Sequence, residues 1–283
     1  MTTLLQALKL AEKRLDSVSS SARLDAECLL CEVIKQTNVY LRTWPEKQLS
    51  EQQQGDFYSL LQRREQGEPI AYILEKKEFW SLDLKVSSDT LIPRPDTELL
   101  VEQVLEFNKI KPLNSILELG TGSGAIAIAI ASELSLSHVG APKITAIDRS
   151  VEALKIAQQN KELHQLDINF IESDWFSALK PQRFDLIVSN PPYIEVGDEH
   201  LSQGDVQFEP VSALVSGEDG LDDIRSIIIQ AKQWLNPNGY LVLEHGYQQG
   251  ERVREIFKQN GYLNATTKKD LAQHDRISFA LSS

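Results

Sequence analysis

The chain has 283 residues, of which 41% are hydrophobic and 25% charged, proportions of an ordinary globular protein that exclude a disordered or fibrous architecture. Its formal net charge of -12 is uneven: residues 1–75 carry 9 basic and 11 acidic side chains against 20 and 30 in the rest, a poor match to a polyphosphate substrate, so no direct nucleic-acid partner is expected. No apolar run approaches the roughly 20 residues needed to cross a bilayer, and Met1 to Lys9 lacks a basic segment followed by a hydrophobic stretch, so a cytoplasmic location without a membrane partner is expected.

Residues 1–75 read as helices. Leu4, Leu5, Leu8, Ala11 and Leu15 recur at helical spacing, and Ala22 to Ile34 repeats the pattern after a serine-rich break. Ser50 followed three residues later by Gln53 fits a capping box, with Phe57, Leu60 and Leu61 as the apolar stripe and Gly67 with Pro69 as the stop. A small helical bundle is predicted. Cys28 and Cys31 form a CxxC on the second helix, but no second ligand pair accompanies them, so they are read as small buried hydrophobes. The five histidines are scattered, and no metal site is predicted.

From Glu78 to Val86 the period changes to two, with Phe79, Ser81, Asp83 and Lys85 alternating against Trp80, Leu82, Leu84 and Val86, as in a strand or hairpin. Pro93-Arg94-Pro95-Asp96 then stiffens the chain, because each proline fixes its own φ and disfavours helix in the residue before it. The domain junction is placed here, giving a helical domain over 1–75, a hairpin and proline-rich linker over 76–95, and a catalytic domain over 96–283. Asp96 or Thr97 can cap a helix running through Phe107.

After residue 114 apolar strands alternate with amphipathic helices, the signature of a doubly wound α/β sheet. The strand candidates are Ser115–Leu119, Lys143–Ile147, Ile168–Ile171, Phe184–Ser189 and Tyr240–Glu244. The first runs directly into Gly120-Thr121-Gly122-Ser123-Gly124, and a small-residue helix follows. Glycines let the backbone turn sharply and approach a ligand at the C-terminal edge of the sheet, where such folds bind nucleotides. Asp148, at the end of the second strand, can accept hydrogen bonds from both hydroxyls of a ribose. A dinucleotide fingerprint would read GxGxxG with pyrophosphate on a helix N-terminus, whereas the spacing here is GxGxG. S-adenosyl-L-methionine carries a sulfonium cation and no phosphate, which suits a cleft edged by Glu118, Asp148 and Asp174. Asp174 can accept from the adenine amino group, and Trp175 can wall the ring.

Asn190-Pro191-Pro192-Tyr193 stands where the strand Phe184–Ser189 meets that cleft. Pro191 and Pro192 offer carbonyls without N–H groups, so the segment presents mainly acceptors in a rigid shape. The Asn190 side-chain oxygen and the Pro191 carbonyl can each take one N–H of a planar amide or amine, with Tyr193 against its flat face. An amide nitrogen is a poor nucleophile, so position and electrostatics rather than a strong base must drive transfer. Farther on, Tyr262–Thr266 and Arg276–Leu281 are joined by a polar stretch too short for a crossover helix, which predicts an antiparallel pair.

Together these segments resemble the HemK/PrmC family, the peptide chain release factor glutamine methyltransferases. The likeness covers nearly the whole chain: Arg23-Leu24-Asp25-Ala26-Glu27, Glu68-Pro69-Ile70-Ala71-Tyr72-Ile73, Leu91-Ile92-Pro93-Arg94-Pro95-Asp96-Thr97-Glu98, the glycine turn with Glu118-Leu119 before it, Ser189 to Ile194, Phe208-Glu209-Pro210 and Gly217-Glu218-Asp219-Gly220-Leu221-Asp222. The resemblance implies a Rossmann-like class I methyltransferase domain with an antiparallel last strand, preceded by the helical bundle and hairpin linker. It implies methylation of the glutamine amide in the GGQ motif of class-1 release factors, with S-adenosyl-L-homocysteine as product. It further implies that Gly120, Thr121, Gly122, Ser123, Gly124, Asp148, Trp175 and Asn190 contact the cofactor, that Asn190, Pro191, Pro192 and Tyr193 hold the glutamine, with Asn190, Pro191 and Tyr193 catalytic, and that the helical domain helps grip the release factor. Cys28 and Cys31 depart from the family, which usually has aliphatic residues or alanine there. The rival within the same chemistry is methylation of DNA adenine or another protein amide, since NPPY also occurs in adenine methylases. A nicotinamide dehydrogenase is disfavoured by GxGxG and NPPY, and a non-catalytic cofactor-binding module by the intact acceptor motif.

Overall fold

The computed structural model describes residues 2–135 and 141–283, which fall into two compact units: residues up to Lys76 together with Glu199–Phe208, and Lys77–Asp198 together with Glu209–Ser283.

The first unit is built on α1 (Leu4–Leu15), α2 (Ala22–Ile34), α3 (Asn38–Thr43), α4 (Glu51–Glu65) and α5 (Ile70–Ile73). Capping boxes open α1 at Thr3 with Gln6 and α4 at Ser50 with Gln53, each satisfying two backbone N–H groups locally, while the Leu4 and Leu5 N–H groups donate to the Lys47 and Pro45 carbonyls. The apolar faces of these helices meet in one core, with Leu8 and Leu15 from α1, Leu29 and Leu30 from α2, and Phe57 and Leu61 from α4 all buried. A charged pair is buried beside it. The Arg64 Nε donates to the Asp25 Oδ2 at 2.8 Å with both side chains only 8% exposed, and the Ser19 and Ser21 hydroxyls donate to the same carboxylate. The Arg64 Nη1 reaches the Gly67 and Glu68 carbonyls and Asp205. Cys28 and Cys31 are half-buried and unbridged rather than fully buried as expected: α2 turns its Leu29 and Leu30 edge to the core, leaving the cysteines at the margin. Burial still holds both thiols protonated, that of Cys31 pushed up to about 11.

The second unit opens with a hairpin of β1 (Lys76–Phe79) and β2 (Leu82–Lys85), joined by Trp80 and Ser81, both with positive φ as a two-residue turn demands. That turn corrects the expected alternation. Phe79 is buried along with Leu84 and Val86, because a two-residue loop reverses the parity of the row on its far side. The hairpin also belongs to the catalytic unit rather than to a linker. Asn160 brackets the Lys85 backbone, accepting from its N–H at 2.7 Å and donating to its carbonyl at 2.9 Å, while the Trp80 indole donates to Glu133. The chain therefore changes unit at Lys76 to Lys77 and not at the prolines.

The following elements are α6 (Glu98–Ile110), β3 (Ser115–Leu119), α7 (Ala125–Ser135), β4 (Lys143–Asp148), α8 (Val151–Leu163), β5 (Asn169–Glu172), β6 (Phe184–Ser189), α9 (Asp222–Ala231), β7 (Leu235–Glu244), α10 (Gly250–Gln259), β8 (Leu263–Lys269) and β9 (Asp275–Leu281). Among the described residues the large sheet has the order β5-β4-β3-β6-β7-β9-β8, with β5 through β7 parallel and β9 antiparallel to both its neighbours. The expected strands and the expected C-terminal antiparallel pair are all present. Strand β3 has Ile116 and Leu117 buried on opposite faces, each within its own core cluster, as a central strand covered by helices on both sides requires. The crossover direction reverses at β3, between its neighbours β4 and β6, and a crevice opens there at the carboxyl ends of the strands. Helix α6 extends to Ile110, three residues beyond the expected end. Its first turn follows a short 3-10 turn at Pro95–Thr97, and the Thr97 side chain makes no cap.

Candidate active site

The crevice holds a cavity of about 350 Å³, within the range of pockets that bind small cofactors. Gly120, Gly122, Asp148, Asp174, Trp175, Asn190 and Pro192 all stand on its wall. Asp148 closes the glycine turn. Its Oδ2 accepts from the Gly122 N–H and its Oδ1 from the Ser150 N–H, both at 2.8 Å, and the lone pairs left over on a carboxylate can still accept from ligand hydroxyls. Capping of α8 is left to Ser150, which accepts from the Ala153 N–H. Trp175 has φ of +44° and sets its ring 3.7 Å from where a Cβ on Gly120 would lie, so that glycine clears room for the indole.

Three members of the glycine turn do not reach the cavity wall. Thr121 and Ser123 are buried, the former donating its hydroxyl to Glu118 at 2.6 Å and the latter accepting from the Asn160 side chain through its carbonyl. At Gly124, with φ of +85°, a Cβ would lie 3.0 Å from Ile128 and 3.2 Å from Ala157, so the glycine serves close packing between α7 and α8. Glu118 does not edge the cleft as expected. It is 1% exposed beneath the turn, where its Oε2 takes the Thr121 hydroxyl and the Ala127 N–H, and burial pushes its carboxyl up to about 8. The carboxylates on the cavity wall are those of Asp89, Asp148, Asp174 and Asp223.

The NPPY segment leaves β6 at the same edge. Asn190 and Pro192 line the cavity, Pro191 is buried, and the Tyr193 hydroxyl points inward to donate to the Glu244 Oε1 at 3.2 Å. The Asn190 Nδ2 donates to the Thr97 Oγ1 at 3.2 Å, which leaves the Asn190 Oδ1 as an acceptor. The backbone behind is pinned as well. Gln249 Nε2 donates to the Tyr193 carbonyl at 3.0 Å, and a Cβ on Gly220, whose φ is +69°, would fall 2.2 Å from that same oxygen. The GEDGLD segment thus packs against the acceptor motif at a distance only glycine permits.

Several wall residues were not expected at the cleft from the sequence. Ser88 to Leu91 follow the hairpin, Pro210, Ser212, Ala213 and Val215 follow Glu209, and the Arg149 guanidinium donates to the Ser212 carbonyl at 2.9 Å, joining two sides of the cavity. Glu209 itself is a clamp on the proline segment: it accepts from the Ile92 N–H at 3.1 Å and pairs with Arg94. No cluster of metal-ligating side chains occurs among the described residues.

A family profile described as the PrmC N-terminal domain matches residues 6–74, and one described as a methyltransferase domain matches residues 110–278. The chain is 50% identical over 279 residues to the release factor glutamine methyltransferase of Vibrio cholerae, covering 98% of this chain and 96% of that one. It is 47% identical over 277 residues to the protein of that name from Shewanella oneidensis (96% and 94% covered) and 48% identical over 261 residues to that from Escherichia coli (92% and 92%). Among solved structures, a methyltransferase from Pyrococcus furiosus superposes with a TM-score of 0.51 at 18% identity, covering 78% of this chain and 97% of that one. A T. thermophilus 16S rRNA methyltransferase, solved with AdoMet and guanosine, gives 0.51 at 18% identity over 74% of this chain and 50% of the other. Those two likenesses concern the fold.

Proposed function

The chain belongs to the release factor glutamine methyltransferase family, and from that premise we propose that it methylates the side-chain amide nitrogen of the glutamine in the GGQ motif of class-1 peptide chain release factors. The methyl donor in this reading is S-adenosyl-L-methionine, which supplies a methyl group on a positively charged sulfur and leaves as S-adenosyl-L-homocysteine. The cavity fits that donor. Asp148 and Asp174 put negative charge on its wall, Trp175 offers an apolar face, and Gly120 and Gly122 let the backbone form the floor.

The observation that carries the acceptor reading is the hydrogen bond from the Asn190 amide to Thr97. With its N–H2 turned away, Asn190 offers an oxygen at the cavity wall, the partner that an N–H2 group needs. The Pro191 carbonyl supplies a second acceptor, and Pro192, lacking an N–H, adds no competing donor. Positioning then replaces base catalysis, since an amide nitrogen sheds its proton readily only once it has begun to gain positive charge. Gly120, Gly122, Asp148, Trp175 and Asn190 would contact the donor, while Thr121, Ser123 and Gly124 shape the turn from behind. The helical unit would grip the release factor, the reaction would take place in the cytoplasm, and no nucleic acid would be needed; no helix among the described residues is long and apolar enough to cross a membrane.

The test is incubation with methyl-labelled S-adenosyl-L-methionine and a class-1 release factor. Label is expected on the factor, and replacing its GGQ glutamine is expected to abolish it. Labelling of duplex DNA, with the factor left bare, would replace this substrate with the adenine alternative.

A further inference from the structure

Behind the acceptor motif, one buried amide joins three stretches of backbone from different parts of the chain. Gln249 immediately precedes α10 and is 9% exposed, yet its side chain makes no cap for that helix. Its Oε1 accepts from the Gly246 N–H at 2.8 Å, just past the end of β7. Its Nε2 donates to the Tyr193 carbonyl at 3.0 Å and lies 3.5 Å from the Asp219 carbonyl. Two glycines clear the space it fills: a Cβ on Gly246 would lie 3.1 Å from the Oε1, and one on Gly220 2.7 Å from the Nε2. The helix that follows is tied down alongside, since Arg252 in its first turn and Arg225 of α9 both pair with the Asp219 carboxylate.

These partners leave the amide a single orientation. A backbone N–H can only donate and a carbonyl can only accept, so the Oε1 must face Gly246 and the Nε2 must face Tyr193. What is held at Tyr193 governs the residues before it. Pro191 and Pro192 have no N–H, so the first backbone donor after Asn190 is that of Tyr193, which reaches the Leu214 carbonyl at 3.1 Å. With its N–H bound to Leu214 and its carbonyl to Gln249, Tyr193 anchors the far end of the motif that Asn190 begins. We propose that Gln249 is a positioning residue for methyl transfer: by holding the Tyr193 carbonyl it fixes that far end, and with it where the Pro191 carbonyl and the Tyr193 ring meet the acceptor nitrogen. The inference rests on the reading of Asn190 to Tyr193 as the acceptor site.

Gln249→Met keeps nearly the same length and volume but makes neither bond. Gln249→Lys keeps a donor for the Tyr193 carbonyl and loses the acceptor for Gly246, so it separates the two ends of the amide. Arg252→Ala breaks the neighbouring ion pair and leaves the bond to Tyr193 intact, which controls for loosening of α10. The experiment measures kcat and KM for release-factor methylation, and S-adenosyl-L-methionine affinity by calorimetry, for these three full-length variants and for Asn190→Ala. Gln249→Met is expected to lower kcat by roughly tenfold or more, the worth of one directed hydrogen bond to a buried group, with donor affinity and KM changed by less than about threefold. Gln249→Lys and Arg252→Ala should each keep kcat within about threefold of the parent. Parent kcat in Gln249→Met, or donor affinity that falls in step with kcat, would overturn the proposal. So would a Gln249→Lys enzyme that binds the donor normally yet is as slow as Gln249→Met, because the Gly246 end would then be the one that matters. Full activity in Asn190→Ala would instead overturn the acceptor reading beneath it, so the two failures are told apart.

Discussion

Truncating Asn190 to alanine removes the one side-chain acceptor that NPPY offers at the cavity wall while leaving Asp148, Asp174 and Trp175 in place. Turnover is therefore expected to fall about a hundredfold, the cost of a mispositioned reactant, whereas donor binding should weaken by about 1 kcal/mol or less. Steady-state kinetics beside calorimetric titration with S-adenosyl-L-methionine check the split, and an equal loss in both would move Asn190 from the acceptor to the donor. Asn190, Asp148 and Trp175 were legible in the sequence because each sits next to a strand end whose place is set by local patterning. Thr97 and Glu244 were not. They lie 93 and 54 positions from Asn190 along the chain, and only the pairing of β6 with β7 and the packing of α6 bring them behind it. Glu118 was misread for a related reason: an acid before a glycine turn can face the ligand or the core, and its bonds to Thr121 and Ala127 turn it inward.

At the level of elements, the pair between α2 and α4 is the most exacting interaction in the helical unit. Asp25 neutralises Arg64 inside the bundle, and the serine hydroxyls complete its shell. Asp25→Ala leaves the guanidinium buried with its charge uncompensated on that side, and the expected cost is about 3–5 kcal/mol. Thermal unfolding of the full chain should register it as destabilisation or as a separate early transition of the helical unit; an unchanged melting curve would mean that Asp205 alone balances Arg64. This pair gives Asp25 a role that helical periodicity alone could not assign. Strand existence was readable from apolar runs, since buried parallel strands show them plainly. Details that depend on turns were not: the two-residue turn at Trp80 and Ser81 decided which row of the hairpin faces inward, and Asn160, 75 positions away, decided which unit the hairpin joins.

For the whole molecule, two buried carboxyls set how stability responds to pH. Glu118 and Glu244 have folded-state pKa values raised from 4.5 to about 8 and about 7, so between the unfolded value and these the native state holds protons that the unfolded chain has released. Their contribution is complete below pH 4.5 and is lost as pH rises through 7 and 8, at up to about 1.4 kcal/mol per pH unit for each proton difference. Burial lowers the pKa of His245, which acts in the opposite sense below its ordinary value of 6.5 and has little influence above it. The melting temperature should therefore decline between pH 6.5 and 8, and Glu118→Gln should flatten that decline; an unaltered slope would show that Glu118 is ionised in the native protein. The covalent path has its own consequence. Because Glu199–Phe208 is counted with the helical unit while the residues on either side of it are not, the polypeptide passes between the units at three places rather than one. The helical unit is thus joined to the other by three covalent crossings. A single nick at Lys76 would therefore leave residues up to Lys76 held to the remainder of the chain through their packing with the ten residues Glu199–Phe208.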